Sequence, residues 1–388
     1  MNCRRSSSAL QWRSDCPTWT RRSATGVFCV IAILSGLLRS SAVAQEPIVL
    51  SSDRQHLILV IGAPGTDEYK AMFATWTSRW EEAALKGGSE CTVIGRIASE
   101  FVPEVDSPVS ASEAADVLAP EVRSTKEDDR SARKGPGQGG TSLQQLETAI
   151  TAAGNVASTE PLWIVFIGHG TFDGRTASLN LPGPDVSTER LSELLKSASR
   201  PVAFIGCASC TAPFVNALSA KGRVILSATK DGNQIQFCRF GDAMSQAISG
   251  LDADIDRDGQ TSLLEAWLFA ARRTADFYKT EGRLATEHAL LDDNGDAKGT
   301  RAEVFEGDRP KLNVENADKL DGKFAARWHF VRSAEERRLS TEQRQTRDAL
   351  EAQVEQLRRR RETLEESDYL QQLEEIMLPL ARLYDSVQ

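Results

Sequence analysis

The sequence predicts an α/β protein with a mostly parallel sheet that helices cover on both faces. Short, continuous apolar runs of strand length recur along the chain, at 56–62, 162–168, 202–206 and 224–228. Segments whose apolar residues follow helical spacing lie between these runs. This alternation is typical of parallel strands that are buried on both faces. Reactive groups in such sheets gather at the carboxyl ends of the strands.

The first predicted strand, 56–62, leads into a predicted helix that begins at Asp67 and ends at Gly87-Gly88. Its apolar residues recur every three or four positions, and glycines are common where helices stop. A second strand is predicted over 91–95. The following range, 104–140, is rich in Ser, Glu, Asp, Gly and Pro and has no period, so we expect an exposed, mobile loop.

Order is predicted to resume at Ser142, which forms a capping box with Gln145 and begins a helix to about 153. The pattern then predicts, in order, a strand over 162–168, a helix over 187–197, a strand over 202–206, a helix over 214–220, a strand over 224–228, and helices over 240–249 and 263–278. In the last part, 333–388, Ser340 with Gln343 and Asp368 with Gln371 begin two helices with apolar residues at coiled-coil spacing. We expect an antiparallel helical hairpin or a short coiled coil there, which stabilises the protein or binds a protein partner.

Composition limits the class of protein and its partners. The 388 residues are 26% charged and 40% hydrophobic with a net charge of -9, which excludes collagen, low-complexity chains and polytopic membrane proteins. Without the first 44 residues, which hold six Arg and one Asp, the chain has 40 basic and 54 acidic side chains. Nucleic acids and anionic membranes are bound mainly through Lys and Arg. We therefore expect no nucleic-acid partner.

Residues 1–44 read as a secretory signal peptide. An apolar run over 26–38 follows an Arg-bearing leader and precedes Ala42-Val43-Ala44, a small-x-small cleavage site. The predicted protein is exported, periplasmic or extracellular, after cleavage near Ala44, and is not stably inserted in a membrane. An uncleaved anchor is the alternative, although a span needs about 20 apolar residues. Arg21-Arg22 also leaves a twin-arginine signal open.

Four cysteines remain after cleavage, Cys91, Cys207, Cys210 and Cys238, which are too few for a disulfide scaffold.

Two predicted strand ends carry residues that could act in catalysis. Gly168-His169-Gly170 closes the strand 162–168, and Cys207 closes the strand 202–206. Neighbouring parallel strands bring a thiol and an imidazole to one edge, and glycines let backbone amides approach an oxyanion. The same spacing also fits a structural histidine and a buried cysteine.

The two motifs resemble those of the caspase and legumain group of cysteine peptidases. In its legumain-like branch, a His-Gly pair and an Ala-Cys-x-Ser-Gly core are similar to His169-Gly170 and to 206–210 here. The resemblance implies a caspase-like three-layer sandwich over about 50–310 that cleaves peptides or proteins. By analogy His169 is the general base, Cys207 the nucleophile, and the amides of Gly170 and Cys207 the oxyanion hole. Gly206 replaces the family's Ala, and Cys210 its Gly.

Two alternatives to a cysteine endopeptidase stay open. These departures fit a catalytically inactive relative that binds calcium and a partner on the same fold. Cys207 and Cys210 also form a Cys-x-x-Cys pair between a strand and a helix, as in thiol-disulfide oxidoreductases.

Residues 254–265 match the EF-hand calcium loop. Asp254, Asp256 and Asp258 offer carboxylates at positions 1, 3 and 5, and Gly259 allows the turn at position 6. Gln260 supplies its carbonyl at position 7, Ser262 acts through water at position 9, and Glu265 is bidentate at position 12. We expect a structural Ca²⁺ site. An acidic turn without an ion is the alternative.

A second stretch, 292–303, repeats the ligand positions with Asp292, Asn294, Asp296, Lys298, Thr300 and Glu303, but it has Ala297 where the turn favours Gly. It fits either a degenerate partner loop or an Asp/Asn-rich surface turn.

Overall fold

The computed structural model describes residues 54–96, 140–311 and 319–385. The predicted signal peptide, 1–44, lies outside the described residues, as does the predicted loop 104–140 apart from Gly140. Within these three ranges, no helix combines the length and the apolar character that a membrane crossing requires.

The strands, in chain order, are β1 (His56–Ile61), β2 (Glu90–Ile94), β3 (Leu162–Ile167), β4 (Gly170–Phe172), β5 (Ala177–Leu179), β6 (Val186–Ser187), β7 (Val202–Cys207), β8 (Arg223–Ser227), β9 (Leu290–Asp292), β10 (Thr300–Arg301), β11 (Phe305–Glu306) and β12 (Arg309–Pro310). The helices are α1 (Asp67–Gly87), α2 (Ser142–Gly154), α3 (Thr188–Leu195), α4 (Ala212–Leu218), α5 (Phe240–Ser249), α6 (Leu263–Thr280), α7 (Ala334–Arg338), α8 (Thr341–Arg359) and α9 (Glu366–Asp385).

The central sheet has the strand order β10-β9-β8-β7-β3-β1-β2. Strands β8, β7, β3, β1 and β2 are parallel, whereas β9 and β10 pair antiparallel at one edge. The predicted fold class, an α/β protein with a mostly parallel sheet, is confirmed.

Helices cover both faces of the sheet, so the domain has three layers. One apolar cluster joins the sheet to α1, α5 and α6 through side chains such as Trp80, Phe240 and Trp267. The other joins it to α2, α3 and α4 through side chains such as Ile150, Leu191 and Phe214. Successive residues of β3 alternate between the two clusters. Both faces are buried, which explains why these strands are continuous apolar runs.

Two predicted helix starts were wrong by two residues, and one predicted capping box was wrong by one residue. The capping box of α2 is formed by Thr141 and Gln144, not by Ser142 and Gln145. Helix α4 begins at Ala212 and not at 214, because Pro213 fits the first turn, where a backbone N–H has no helical partner. Helix α9 begins at Glu366 rather than at 368.

The C-terminal helices are attached to the domain through ion pairs. Glu160, just before β3, accepts hydrogen bonds from Arg332 at 2.5 Å and from Arg344 of α8 at 3.0 Å. Arg347 of α8 pairs with the buried Glu336 of α7. Val354 and Leu357 of α8 are buried, and α8 contacts α9, which contains no fully buried residue. The predicted role of these helices as a partner-binding appendage stays a prediction.

Candidate active site and calcium loop

The carboxyl ends of β3 and β7 bring the two predicted motifs to one edge of the sheet. Ile167 lies beside Cys207 in the parallel register of these strands. This is the last pair of the two strands, and His169 and Ser209 each stand two residues beyond it, so we call them level with each other. The predicted base therefore follows the end of β3, whereas the predicted nucleophile is the last residue of β7.

His169 is partly buried among aromatic rings. Its ring centroid lies 4.9 Å from that of Tyr69, 5.5 Å from Phe73 and 6.0 Å from Phe237. The His169 Nε2 atom is 3.2 Å from the carbonyl oxygen of Pro64. Because a carbonyl only accepts hydrogen bonds, Nε2 carries the proton and Nδ1 keeps a free lone pair. Burial lowers the pKa of His169, with the Pro64 hydrogen bond as the smaller, opposing effect.

Gly170 leaves no room for a side chain. A Cβ atom there would lie 2.2 Å from the carbonyl oxygen of Ser209. The Gly170 amide donates a hydrogen bond to Ser209 Oγ at 3.1 Å, and Ser209 Oγ donates to the Gly170 carbonyl at 3.0 Å. Glycine is thus required here because two strand ends approach closely, and the amide predicted for the oxyanion hole is directed at the Ser209 hydroxyl.

Cys207 is fully buried and belongs to the apolar cluster on the α1, α5 and α6 face. Its Cβ lies against Gly241, where an added Cβ would come within 2.9 Å of it. Burial raises the pKa of the Cys207 thiol well above its usual range, and the charge of Glu287 raises it further. In the part of the chain that the structure describes, no hydrogen bond joins this thiol to His169. Its role as a nucleophile stays a prediction.

Glu287 is a buried carboxylate behind this thiol. Its two oxygens accept hydrogen bonds from the amides of Arg239 and Phe240, at 2.9 and 3.0 Å, and the Tyr278 hydroxyl donates a third at 3.1 Å. Burial raises the pKa of Glu287. The three bonds explain how a carboxylate is tolerated here, and they fix the start of α5 against α6.

Ser209 is the site residue that the sequence reasoning missed. It is 2% exposed, lies level with His169, and contacts Gly170 through its hydroxyl. The resemblance of the cysteine motif instead assigned the nucleophile to Cys207, two residues earlier in the chain. Residues two apart on an extended strand share a face, so strand alternation does not separate Ser209 from Cys207. The structure separates them because β7 ends at Cys207 and Ser209 lies beyond that end.

Of the two departures from the resembled motif, Gly206 has a local physical reason, whereas Cys210 stands at a position that favours glycine. A Cβ at Gly206 would come within 2.8 Å of the Thr211 side chain. Cys210 adopts a left-handed backbone with φ of 57°, a conformation that favours glycine. Its amide donates to Gln234 O at 3.0 Å.

The thiols of Cys207 and Cys210 both have raised pKa values. Burial raises the pKa of Cys210 to about 11, and it raises the pKa of Cys207 as well. Thiol-disulfide exchange requires a thiolate of lowered pKa, so the environment of this pair disfavours the redox alternative.

The loop 254–265 gathers its acidic side chains on one side. Asp254, Asp256 and Glu265 each bring a carboxylate oxygen within 4.8 Å of the others. The backbone is left-handed at Arg257, with φ of 63°, and at Gly259, with φ of 84°. Burial, together with the charges of Asp258 and Glu265, raises the pKa of Asp256 to about 6.

Glu265 closes this loop. Its Oε1 accepts the Ile255 amide at 2.7 Å and the Asp256 amide at 3.2 Å, and Oε2 accepts the Ser262 hydroxyl at 2.8 Å. Ser262 and Glu265 also form the capping box of α6. Gln260 is buried, and its side-chain oxygen accepts the Ser333 amide at 3.1 Å, so the loop holds the chain that leads into α7. The three converging carboxylates offer the oxygen donors that Ca²⁺ takes, so these three residues fit that ion. Calcium binding by the predicted ligand set stays a prediction.

No family model and no curated protein matches the chain. Among solved structures, it is similar to caspase-1 from Spodoptera frugiperda, at 10% identity over 62% of this chain and 86% of that chain, with a TM-score of 0.37. It is also similar to drICE, at 8% identity over 65% and 92% of the two chains with a TM-score of 0.34, and to a protein from Geobacter sulfurreducens, at 9% identity over 62% and 92% with a TM-score of 0.32.

Proposed function

We propose that the carboxyl edge of β3 and β7 is a peptide-hydrolysing site of the caspase and legumain type, in which His169 is the general base. The observation that carries this proposal is the hydrogen bond from His169 Nε2 to Pro64 O, which leaves Nδ1 unprotonated and fixes the ring at the strand edge. The lowered pKa of His169 keeps the imidazole neutral near pH 7. The substrate is a peptide or protein segment.

The sequence motif assigns the nucleophile to Cys207, and for that thiol to react the end of β7 has to open, because the thiol is fully buried. The geometry favours a second candidate, the Ser209 hydroxyl, which lies level with His169 and 3.1 Å from the Gly170 amide. In either case the nucleophile loses its proton to His169 Nδ1 as it bonds to the substrate carbonyl carbon. The Gly170 amide then hydrogen-bonds the oxyanion.

The later steps follow from the same two groups. His169 returns the proton to the leaving amine as the C–N bond breaks, which leaves an acyl-enzyme. A water molecule gives its proton to His169, attacks the acyl carbon and releases the carboxylic acid, and the proton returns to the nucleophile. No oxidant or metal is needed for these steps.

The test compares His169→Ala, Cys207→Ala, Ser209→Ala and Cys210→Ser with the wild type on fluorogenic peptides ended by Asn, Asp, Arg or Lys. A cysteine peptidase loses activity at least 1000-fold in Cys207→Ala and keeps it in Ser209→Ala, whereas a serine nucleophile gives the reverse.

The alternative function is a catalytically inactive, calcium-binding interaction protein on the same fold. Two observations favour it: Cys207 is buried, and the Ser209 hydroxyl already donates a hydrogen bond to the Gly170 carbonyl. Turnover that is absent in the wild type and in all four variants supports this alternative and contradicts hydrolysis. The protein is assayed before and after limited trypsin treatment, so that activity which requires cleavage in the range 104–140 is also detected.

We also propose that the protein is exported after cleavage near Ala44 and that Ca²⁺ at the loop 254–265 stabilises it. The ligands are Asp254, Asp256, Asp258, the Gln260 carbonyl, Ser262 through water, and Glu265. The convergence of three carboxylates supports this proposal. N-terminal sequencing of the secreted protein tests the cleavage site. An equal melting temperature with Ca²⁺ and with EDTA contradicts the calcium proposal.

A further inference from the structure

The second acidic stretch, 292–303, has left-handed residues at the same two positions as the loop 254–265. In 254–265 the fourth and sixth positions, Arg257 and Gly259, are left-handed. In 292–303 the corresponding residues are Gly295, with φ of 81°, and Ala297, with φ of 61°. Ala297 adopts the conformation that favours glycine and is the residue that made this stretch look degenerate in sequence.

The turns inside the two loops are also the same. In the first loop the amide at position 5 donates to the side chain at position 3, and the amide at position 7 to the side chain at position 5. In the second loop the Asp296 amide donates to Asn294 Oδ1, and the Lys298 amide to Asp296 Oδ1, both at 2.8 Å. The side chains at positions 3 and 5 are therefore turned the same way in both loops.

Asp321 takes the place in the second loop that Glu265 has in the first. Glu265 accepts the amides of positions 2 and 3 with one oxygen and the hydroxyl of position 9 with the other. Asp321 Oδ1 accepts the Asp293 and Asn294 amides, which are positions 2 and 3, at 3.0 and 3.2 Å. Its Oδ2 accepts the hydroxyl of Thr300, position 9, at 2.5 Å. Glu303, at position 12, pairs instead with Arg301 on the surface.

A buried oxygen without a partner points to a ligand at this loop. Asp292, at position 1, is 1% exposed. Its Oδ1 accepts the Gly295 amide at 3.2 Å, which holds the carboxylate on the inside of the loop. Its Oδ2 is buried and has no hydrogen-bond partner among the described residues. Leaving a buried carboxylate oxygen unpaired costs free energy, and a bound cation removes that cost.

We propose that 292–303 is a second Ca²⁺ site, with Asp292, Asn294, Asp296 and the Lys298 carbonyl as ligands and with Asp321, from outside the loop, as the closing carboxylate in place of Glu303. This site is independent of the peptidase proposal and of the first calcium loop. It offers three carboxylates, whereas the first loop offers four. In the described ranges, the first loop alone has a group of three acidic side chains with oxygens within 4.8 Å of one another. We therefore expect the second site to bind at least tenfold more weakly.

Calcium stoichiometry of the full chain tests the proposal. The protein is stripped with EDTA and titrated with CaCl₂ by calorimetry and by equilibrium dialysis with ⁴⁵Ca²⁺. We expect two ions in the wild type and one in Asp321→Asn and Asp296→Asn. Asp296 is exposed, and asparagine keeps the acceptor for the Lys298 amide, so this variant retains the fold. Glu303→Gln is the matched control and keeps two ions.

Glu265→Gln separates the two loops, since it removes the tighter ion and leaves the weaker one. Melting in EDTA checks that each variant is folded. Two ions in both Asp296→Asn and Asp321→Asn overturn the proposal, as does one ion in the wild type that Glu265→Gln abolishes. Loss of the weaker ion in Glu303→Gln also overturns it, because position 12 is then the ligand. An unchanged stoichiometry in Glu265→Gln contradicts only the first loop.

Discussion

Cys210 shows how one backbone angle governs the choice of residue beside the site. With φ of 57° it holds a conformation that costs a side-chain-bearing residue about 1 kcal/mol or more. We expect Cys210→Gly to have a free energy of unfolding about 1 kcal/mol above that of Cys210→Ala, because both lose the thiol and only glycine relieves the strain. Urea denaturation measures the difference.

The neighbouring residue Ala208 provides the control for this comparison. It is buried like Cys210, but its φ is not positive. Ala208→Gly is therefore expected to lower the free energy of unfolding by about 0.5 to 1 kcal/mol. Equal stability of the glycine and alanine variants at position 210 contradicts the strain argument.

The pKa of His169 predicts the pH dependence of any hydrolysis. Burial lowers this pKa below the usual 6.5. Only the neutral ring can take a proton, so activity falls where His169 becomes protonated, and the lowered pKa moves that fall to pH values below 6.5. We expect the acidic limb of kcat/KM below pH 6.5. A limb above that value means that a different group is the base.

Sequence motifs can single out candidate residues only where those residues are contiguous in the chain. His169, Gly170 and the proposed ligands of 254–265 lie within such motifs, and their roles stay predictions. Ser209 could not be identified in this way, because its level relative to His169 depends on the register of two strands. Asp321 could not be identified either, since it reaches the loop 292–303 only through the folded chain.

At the scale of elements, Glu160 connects the start of β3 to the C-terminal helices. Its side chain is 6% exposed and pairs with Arg332 and Arg344. Glu160→Gln keeps the shape and removes the charge, which leaves two half-buried guanidinium groups without their carboxylate. We expect the free energy of unfolding to fall by about 3 kcal/mol. Chemical denaturation with circular dichroism measures this loss.

An exposed ion pair provides the comparison for Glu160. Glu193 and Lys196 are 61% and 69% exposed and lie three residues apart at the end of α3. Exposed pairs of this kind contribute little, so Glu193→Gln is expected to change stability below the limit of measurement. A Glu160→Gln protein as stable as Glu193→Gln contradicts the role of Glu160.

Elements were predictable where their burial produces a long, regular pattern. The inner strands are continuous apolar runs, and α1 ends at Gly87, followed by Gly88, which is left-handed with φ of 67°. The sheet β4-β5-β6 was not predicted, because strands of two or three residues are too short to show a period. The same reason applies to β9 and β10, which frame the loop 292–303.

At the scale of the whole molecule, the three layers follow from the alternation of strands and helices, whereas the strand order does not. β3 lies between β1 and β7, and β9 reverses direction beside β8. Which strands become neighbours depends on contacts between distant parts of the chain. That order brings the ends of β3 and β7 together and so creates the site edge. The motifs alone identified the residues there, and the pairing determined their depths.

His329 joins three distant parts of the molecule and predicts how its stability depends on pH. It is 8% exposed, forms a β-bridge with Ser262 of the loop 254–265, and its carbonyl accepts a hydrogen bond from Gln55 before β1. Burial, together with the charges of Arg347 and Arg332, lowers its pKa from 6.5 to about 4. Between these pH values the unfolded chain binds a proton that the folded protein does not, so stability falls as pH decreases. The shift corresponds to about 3 kcal/mol.

The variant His329→Gln tests this effect, because glutamine cannot titrate at this position. Urea denaturation measures the free energy of unfolding of both proteins from pH 7 to 4. We expect the wild type to lose about 3 kcal/mol more than His329→Gln over this range. Parallel pH profiles of the two proteins contradict a neutral, buried His329.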